Sequence, residues 1–252
     1  MELTEAKRYI AEQWNHWSVS YDEQYAHGVK SHAEVEAWKK VLATAIGTTP
    51  CRILDVGTGT GFLALLLAEM GHNCTGLDIS AKMLEQAKKK GSNLKNRPVF
   101  DFGDAEALPL PDNCMDVVAN RHLLWTLPDP QKALTEWLRV LKPGGKLVVI
   151  NGVWGSIGLP AKARRLIGNI MIMLAERRNP WKDGYSNEIK EQLPLYGDVP
   201  PEEIIRLMRE AGVEDVQIVD MSNVERAENA AMPQRYRIAY SHKRYLIVGK
   251  KK

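Results

Sequence analysis

The stretch ILDVGTGTGF, residues 53–62, constrains the fold more than any other in this chain: a short apolar run ends in an acid, and glycines follow at 57, 59 and 61. A short apolar run bounded by glycine reads as a buried strand. Glycines at alternate positions let the backbone turn through conformations closed to other residues and come close to a ligand. The next run, TGFLALLLAEMG (60–71), reads as a helix, so the loop aims helix N-terminal amides at an anionic or polar group. Strand, glycine loop and helix make the opening unit of an α/β sheet, whose ligands gather at the carboxyl ends of the strands.

The alternation continues along the chain. NCTGLD (73–78) is a second strand, and Ser80 is an N-cap for AKMLEQAKKK, where Met83, Leu84 and Ala87 recur at helical spacing before three lysines in the last turn. RPVFDFGD (97–104) is a third strand and MDVVAN (115–120) a fourth. DPQKALTEWLRVL (129–141) is a helix with Pro130 in its first turn, KPGG stops it, and KLVVIN (146–151) begins a fifth strand. In front, Ser31 and Glu34 stand at capping-box spacing before a stripe of Val35, Trp38, Leu42 and Ala45. Residues 152–200 lose the alternation and carry one helix at about 161–177; PPEEIIRLMREAG, VEDVQIVD and RYLIVGKK then resume the sheet. The expectation is a single domain over 1–252, with a helical cap (1–49), a ligand-binding core (50–151), a substrate-side insertion or lid (152–200) and a segment that completes the sheet (201–252).

Several ligand classes are disfavoured. A dinucleotide loop wants a third glycine where Phe62 stands, and a Walker loop wants a Gly-Lys-Ser/Thr that is missing. Asp78, at the end of the second strand, suits the two hydroxyls of a ribose. Net charge is only +3, too weak for a nucleic-acid surface. The longest apolar stretch, FLALLLA, falls short of the roughly 18 residues of a membrane span. The charged first residues do not read as a signal peptide, so a cytoplasmic protein is expected. Cys51, Cys74 and Cys114 stand at the starts of strands, away from the ligand edge, and the six histidines lack ligand spacing, so no metal is expected.

LDVGTGTG, GLDIS, GDAEALPLPDNCMDVV and LRVLKPGGKLVV, in this order, resemble the class I S-adenosylmethionine-dependent methyltransferases, in particular the branch with the ubiquinone and menaquinone biosynthesis methyltransferases (type 11 methyltransferase domain). The resemblance implies a Rossmann-like, seven-stranded sheet in order 3-2-1-4-5-7-6, the last strand antiparallel, with helices on both faces. It implies S-adenosylmethionine as cofactor, with Asp55 and the loop of Gly57, Thr58, Gly59 and Gly61 bordering its methionine part. Asp78 would take the ribose hydroxyls, Ile79 and Met83 would pack near adenine, Asp104 would accept from the adenine amino group, and Ala105 would offer a backbone amide. Asn120 would lie under the sulfonium, and Tyr21 with Asp22 would close over the cofactor.

Methyl transfer chiefly requires alignment and exclusion of water, with a base only for a protonated nucleophile. His122, just after the fourth strand, is the first candidate for a base or an orienter of the substrate, with a histidine bonding backbone as the alternative. Arg121 either binds an anionic substrate or pairs with a carboxylate. Trp125 either walls the pocket or belongs to the core, Tyr185 and Tyr196 are further pocket candidates, and Trp14 is expected to pack against the sheet. The helix near 161–177, with basic pairs Arg164/Arg165 and Arg177/Arg178, is a lid, a homodimer contact or a peripheral membrane contact. A small-molecule methyl acceptor is the expected partner. A nicotinamide-dependent dehydrogenase and an S-adenosylmethionine-binding protein without turnover are the alternatives.

Overall fold

The computed structural model describes residues 4–25, 27–153, 159–176, 184–239 and 243–252. The cap is α1 (Glu5–Trp17), a 3-10 turn (Tyr21–Glu23) and α2 (His32–Ile46); the core runs β1 (Arg52–Val56), α3 (Phe62–Glu69), β2 (Asn73–Asp78), α4 (Ala81–Gly91), β3 (Val99–Phe102), β4 (Met115–Arg121), a 3-10 turn (Leu124–Thr126), α5 (Pro130–Val140) and β5 (Leu141–Val153). After it come α6 (Leu159–Glu176), α7 (Asn187–Lys190), α8 (Pro201–Glu210), β6 (Val213–Val219), α9 (Ser222–Ala231), α10 (Gln234–Ala239) and β7 (Lys243–Lys251). The strands form one seven-stranded sheet in order β3-β2-β1-β4-β5-β7-β6. β7 runs antiparallel to both β5 and β6, and the pairings among the first five strands are parallel.

Four of the helices, α1, α2, α4 and α5, begin where a short polar side chain caps them. Ser80 Oγ accepts from the Met83 amide at 3.2 Å, and Asp129 Oδ1 from the Lys132 amide at 2.9 Å with Pro130 in the first turn. At α2, Ser31 Oγ accepts the Glu34 amide at 3.2 Å while Glu34 Oε2 accepts the Lys30 amide at 2.9 Å, a reciprocal cap shifted one residue outward. The apolar stripes then cover the sheet on both faces. Trp38, Leu42, Leu63, Leu67 and Leu84 pack on one face, and Leu134, Trp137, Ile204 and Met208 on the other. Trp38 and Trp137 are fully buried, each a larger contribution than the roughly 1.5–3 kcal/mol of a buried aliphatic side chain.

Three boundaries differ from the sequence reading. β5 begins at Leu141, because Leu141 already pairs with Met115; KPGG is a register shift inside the strand, with Gly144 at φ +73°, instead of a stop before it. β3 is confined to 99–102, since only Val99 to Phe102 find partners on β2. The segment 222–239, not assigned to any element from the sequence, forms α9 and α10, and α9 packs on α2 and β7. The helix expected at 161–177 is α6; Arg177 and Arg178 lie outside the described residues.

Register places the site. Asp55 on β1 lies level with Gly76 of β2 and Ala119 of β4, and Asp78 ends β2 level with Phe102 of β3. The carboxyl ends of these strands share one edge. The three cysteines, unpaired, sit at the amino ends of strands, and burial pushes the Cys51 thiol up.

Candidate active site

The glycine loop owes its shape to backbone that only glycine adopts readily. Gly57, Gly59 and Gly61 have φ of +65°, +55° and +86°, and a Cβ on Gly57 would come within 2.6 Å of the Leu123 side chain. Asp55 fastens the loop from below: its Oδ2 accepts from the Thr58 hydroxyl at 2.7 Å and from the Ala64 amide at 3.1 Å. Asp55 is 2 % exposed, and burial raises its carboxyl to about 7. Asp55, Thr58 and Gly61, expected to border the ligand, therefore shape the loop, while Gly57 and Gly59 line the cavity above it.

That cavity opens at the carboxyl edge of the strands, lined by residues of the cap, the glycine loop and the ends of β2 and β4. At the end expected to take the nucleoside are Asp78, Ile79, Met83, Asp104 and Ala105. Asp78 Oδ2 accepts the Gly59 amide and Oδ1 the Ser80 amide, both at 2.8 Å, and burial raises its carboxyl to about 6. Each oxygen retains capacity for a second donor. Asp104 accepts the Glu106 amide at Oδ1 (2.9 Å) and the ammonium of Lys7 at Oδ2 (2.7 Å); Lys7 also reaches Glu106 at 2.6 Å. Burial opposes the Lys7 charge, but the two carboxylates outweigh it and hold the ammonium above its ordinary value. Lys7 was not legible as a site residue, since one lysine on an amphipathic helix looks like any solvated one.

The cap is tied down over this end. Asp22 takes the Thr60 hydroxyl at 2.6 Å and the Lys90 ammonium at 2.8 Å, and Asn15 Oδ1 takes the Ser80 hydroxyl at 2.8 Å and the Lys82 amide at 3.1 Å. Tyr21 and Trp14 thereby line the cavity, their ring centres 5.8 Å apart. Trp14 was expected only to pack, and it does both. Trp125, Tyr185 and Tyr196 do not line the cavity; they form an aromatic cluster behind it with Trp14 and Trp17, at centroid separations of 5.1–6.3 Å.

The end expected to face the methyl group lies at the end of β4. Asn120 is 1 % exposed and below the cavity lining, with Nδ2 donating to the Val148 carbonyl at 3.4 Å and Oδ1 without a partner among the described residues. Arg121 and His122 line the cavity. Arg121 donates to the His27 carbonyl at 3.0 Å, its guanidinium carbon 3.7 Å from the centre of the Phe62 ring. His122, at φ +57°, has Nε2 2.8 Å from Arg244 Nη1 and Nδ1 3.1 Å from Asn151 Oδ1. A guanidinium only donates, so Nε2 accepts and Nδ1 carries the proton. Burial, Arg121 and Arg244 push the His122 imidazole well below its ordinary value. Of the two readings of His122, a base or an orienter of the substrate, the contact of Nε2 with Arg244 favours the orienter, since a protonated imidazole would sit between two arginines. Arg244 in turn bonds Glu228 at 2.8 Å through Nε. Neither of these partners was visible in the sequence.

Among the described residues no group of three or more His, Cys, Asp or Glu side chains is arranged to hold a metal, and no helix is long and apolar enough to cross a membrane.

A family model for a methyltransferase domain matches residues 54–149. The demethylmenaquinone methyltransferase of Renibacterium salmoninarum is 35% identical over 192 residues, 69% of this chain and 78% of the relative. The ubiquinone/menaquinone biosynthesis C-methyltransferase of Rickettsia bellii is 32% identical over 195 residues, 73% of this chain and 77% of the relative. Among solved structures, Haemonchus contortus phosphoethanolamine N-methyltransferase 2 in complex with S-adenosyl-L-methionine matches with a TM-score of 0.62 at 18% identity, over 99% of this chain and 60% of that one.

Proposed function

Because the chain belongs to the S-adenosylmethionine-dependent methyltransferases, in the branch of the demethylmenaquinone and ubiquinone/menaquinone biosynthesis enzymes, and methylates a small molecule, we propose that its acceptor is a hydroxylated aromatic ring of the kind those relatives are named for. The observation that carries the cofactor site is Asp78, a half-buried carboxylate that lines the cavity and is held by the loop amide of Gly59. S-adenosylmethionine, when bound, supplies an electrophilic methyl group. The residues present fit it: Asp78 accepts the ribose hydroxyls, Ile79 and Met83 flank adenine, and Asp104 and Ala105 meet its edge. Tyr21 covers the site, Gly57 and Gly59 leave room for the methionine part, and the buried Asn120 Oδ1, lacking a partner among the described residues, lies beneath. His122 orients the transfer end without taking a proton.

The whole chain acts as one catalytic unit on this reading, with 1–49 as cap, 50–151 as cofactor core, 152–200 on the acceptor side and 201–252 completing the sheet. We place it in the cytoplasm. We assign α6 to peripheral contact with a membrane surface, where a lipid-soluble ring would be met, in preference to a homodimer contact. Leu166, Ile167 and Leu174 are 53, 55 and 72 % exposed beside the exposed Arg164 and Arg165.

The test is thermal unfolding with S-adenosylhomocysteine, S-adenosylmethionine or NADH in excess, since a ligand of the folded state raises the midpoint. A rise with the two adenosyl sulfur compounds alone is expected, followed by methylation of a naphthoquinol; a rise with NADH alone rejects the site assignment.

A further inference from the structure

We propose that Lys7 of the cap is a specificity-determining residue for the base of the cofactor: it holds the Asp104 carboxylate in place as an acceptor on the cavity wall, so that a purine with an exocyclic amine is taken and one with a carbonyl at the same carbon is rejected. This rests on the methyltransferase reading and adds to it a positioning residue, outside the cofactor core, that decides which base is bound.

The order of the strand ends places the base. Along the sheet order β3-β2-β1-β4, Arg121 ends β4, the glycine loop follows β1, Asp78 ends β2 and Asp104 stands just past β3. Asp78 is level with Phe102, and the Gly103 amide donates to the Asp78 carbonyl at 3.1 Å. Asp104 is therefore the next carboxylate outward from Asp78 along one edge. A nucleoside with its ribose at Asp78 and its sulfur end toward β4 presents its base to Asp104.

The Asp104 carboxylate is fixed from two sides. Its backbone is set by a tight turn, in which the Ala107 amide donates to the Asp104 carbonyl at 3.0 Å. Oδ1 accepts the Glu106 amide at 2.9 Å, a contact within that turn, and Oδ2 accepts the Lys7 ammonium at 2.7 Å, a contact from the cap. Lys7 thus sets the second oxygen and with it the plane of the carboxylate. On its other side Lys7 meets Glu106 at 2.6 Å, and Glu106 Oε1 takes the Asp129 amide at 2.8 Å. Lys7 and Asp104 line the cavity, with Glu106 behind them.

The cap brings Lys7 here as part of a wall. Lys7, Ile10 and Trp14 line the cavity from positions i, i+3 and i+7 of α1, one face of the helix. The other end of α1 is tied to the start of α4, where Asn15 Oδ1 takes the Ser80 hydroxyl and the Lys82 amide. A helix fastened at both ends holds its ammonium against Asp104.

A carboxylate only accepts hydrogen bonds. Adenine offers it an amine N–H, whereas hypoxanthine sets a carbonyl oxygen against it and leaves two acceptors facing each other, the arrangement by which a polar site rejects an analogue. Without Lys7 the carboxylate is released to turn away or to take up a proton, and a carboxylic acid donates to a carbonyl as well as it accepts from an amine.

The probes are S-adenosylhomocysteine and S-inosylhomocysteine, titrated calorimetrically into the full chain. The wild type is expected to prefer the adenosyl compound by at least about tenfold, the worth of one hydrogen bond to a charged group. Lys7→Met should bring the two affinities within about threefold of each other. Glu106→Gln breaks the same buried ion group but retains an oxygen for the Asp129 amide, and it should leave the preference as in the wild type. If Lys7→Met does not fold, Lys7→Gln is read in the same way. A Lys7 variant that weakens both compounds by one factor overturns the proposal, because Lys7 would then serve the fold alone. So does a wild type without preference, since the amine would not lie at Asp104. Failure of the wild type to bind S-adenosylhomocysteine is a separate result, which removes the cofactor site and the role of Lys7 with it.

Discussion

At the nucleoside end Asp78 draws its bonds from Gly59 and Ser80, 19 and 2 positions away, whereas at the transfer end His122 is held by Asn151 and Arg244, 29 and 122 positions away. One end is anionic and is built from loop amides; the other is cationic and is built from side chains of β4, β5 and β7 with α9 behind. The difference teaches that a carboxylate site can be encoded in two adjacent strand ends. A buried arginine cluster, by contrast, exists only once the sheet has closed through its antiparallel last strand.

The largest effect is expected where the nucleoside end breaks this rule. Lys7 reaches Asp104 across 97 positions, with both side chains under 10 % exposed. Lys7→Met leaves the Asp104 and Glu106 carboxylates buried without their cation, and a loss of about 3–5 kcal/mol in urea unfolding is expected. A loss below about 1 kcal/mol, the range of exposed ion pairs, would mean that the cap is not part of that end at all.

Next is Asp55, whose carboxyl burial raises from 3.8 to about 7. Between those values the folded protein retains a proton that the unfolded chain has released, so this group makes stability fall as pH rises from about 4 to 7. Asp55→Asn retains an oxygen for Thr58 and Ala64 and removes the titration. Its unfolding midpoint should therefore gain on the wild type steadily across that window, by up to about 2–4 kcal/mol at pH 8; parallel pH profiles would show that Asp55 ionises as in water.

Asp78→Ala should weaken S-adenosylhomocysteine by about 1.5–3 kcal/mol in calorimetry, typical of lost charged hydrogen bonds. With the Asp78 carboxyl at about 6, wild-type affinity should fall as pH drops below that value, because the protonated form accepts fewer hydroxyl donors; Asp78→Asn should lose this dependence. Unchanged affinity would remove the ribose assignment. At the transfer end, His122→Gln should lower kcat for a naphthoquinol by about tenfold, well short of the 10²–10⁴ of a lost general base, and leave the pH profile in shape. The smallest effect is on α6. Leu174→Gln, at a position 72 % exposed, should change stability by less than about 0.5 kcal/mol yet lower partition onto anionic lipid vesicles, and equal partition would return α6 to the solvent.

Much of the fold was legible because its signals are local. The loop glycines, Ser31 and Ser80 as caps, Pro130 in a first turn, and stripes such as Leu134 and Trp137 each act within a few residues of themselves. α9 and α10 were not read from the sequence; they pack against α2, β7 and α6. Within the site, Asp78, Gly57, Gly59, Ile79, Met83 and Tyr21 could be named beforehand, and they line the cavity.

The sequence by itself determined the parallel core and the glycine loop with its acid at the end of the neighbouring strand, because these depend on backbone freedom and on spacing along adjacent strands; the class of cofactor came with the resemblance of four ordered motifs. Only the tertiary structure decided that Lys7 closes the nucleoside end, that Asp55 works from beneath the loop, and that His122 is committed to Arg244. The physical reason is that burial and charge pairing depend on distance in space. β7 returns antiparallel beside β5 to bring Arg244 under the end of β4, and no spacing read along the chain expresses that meeting.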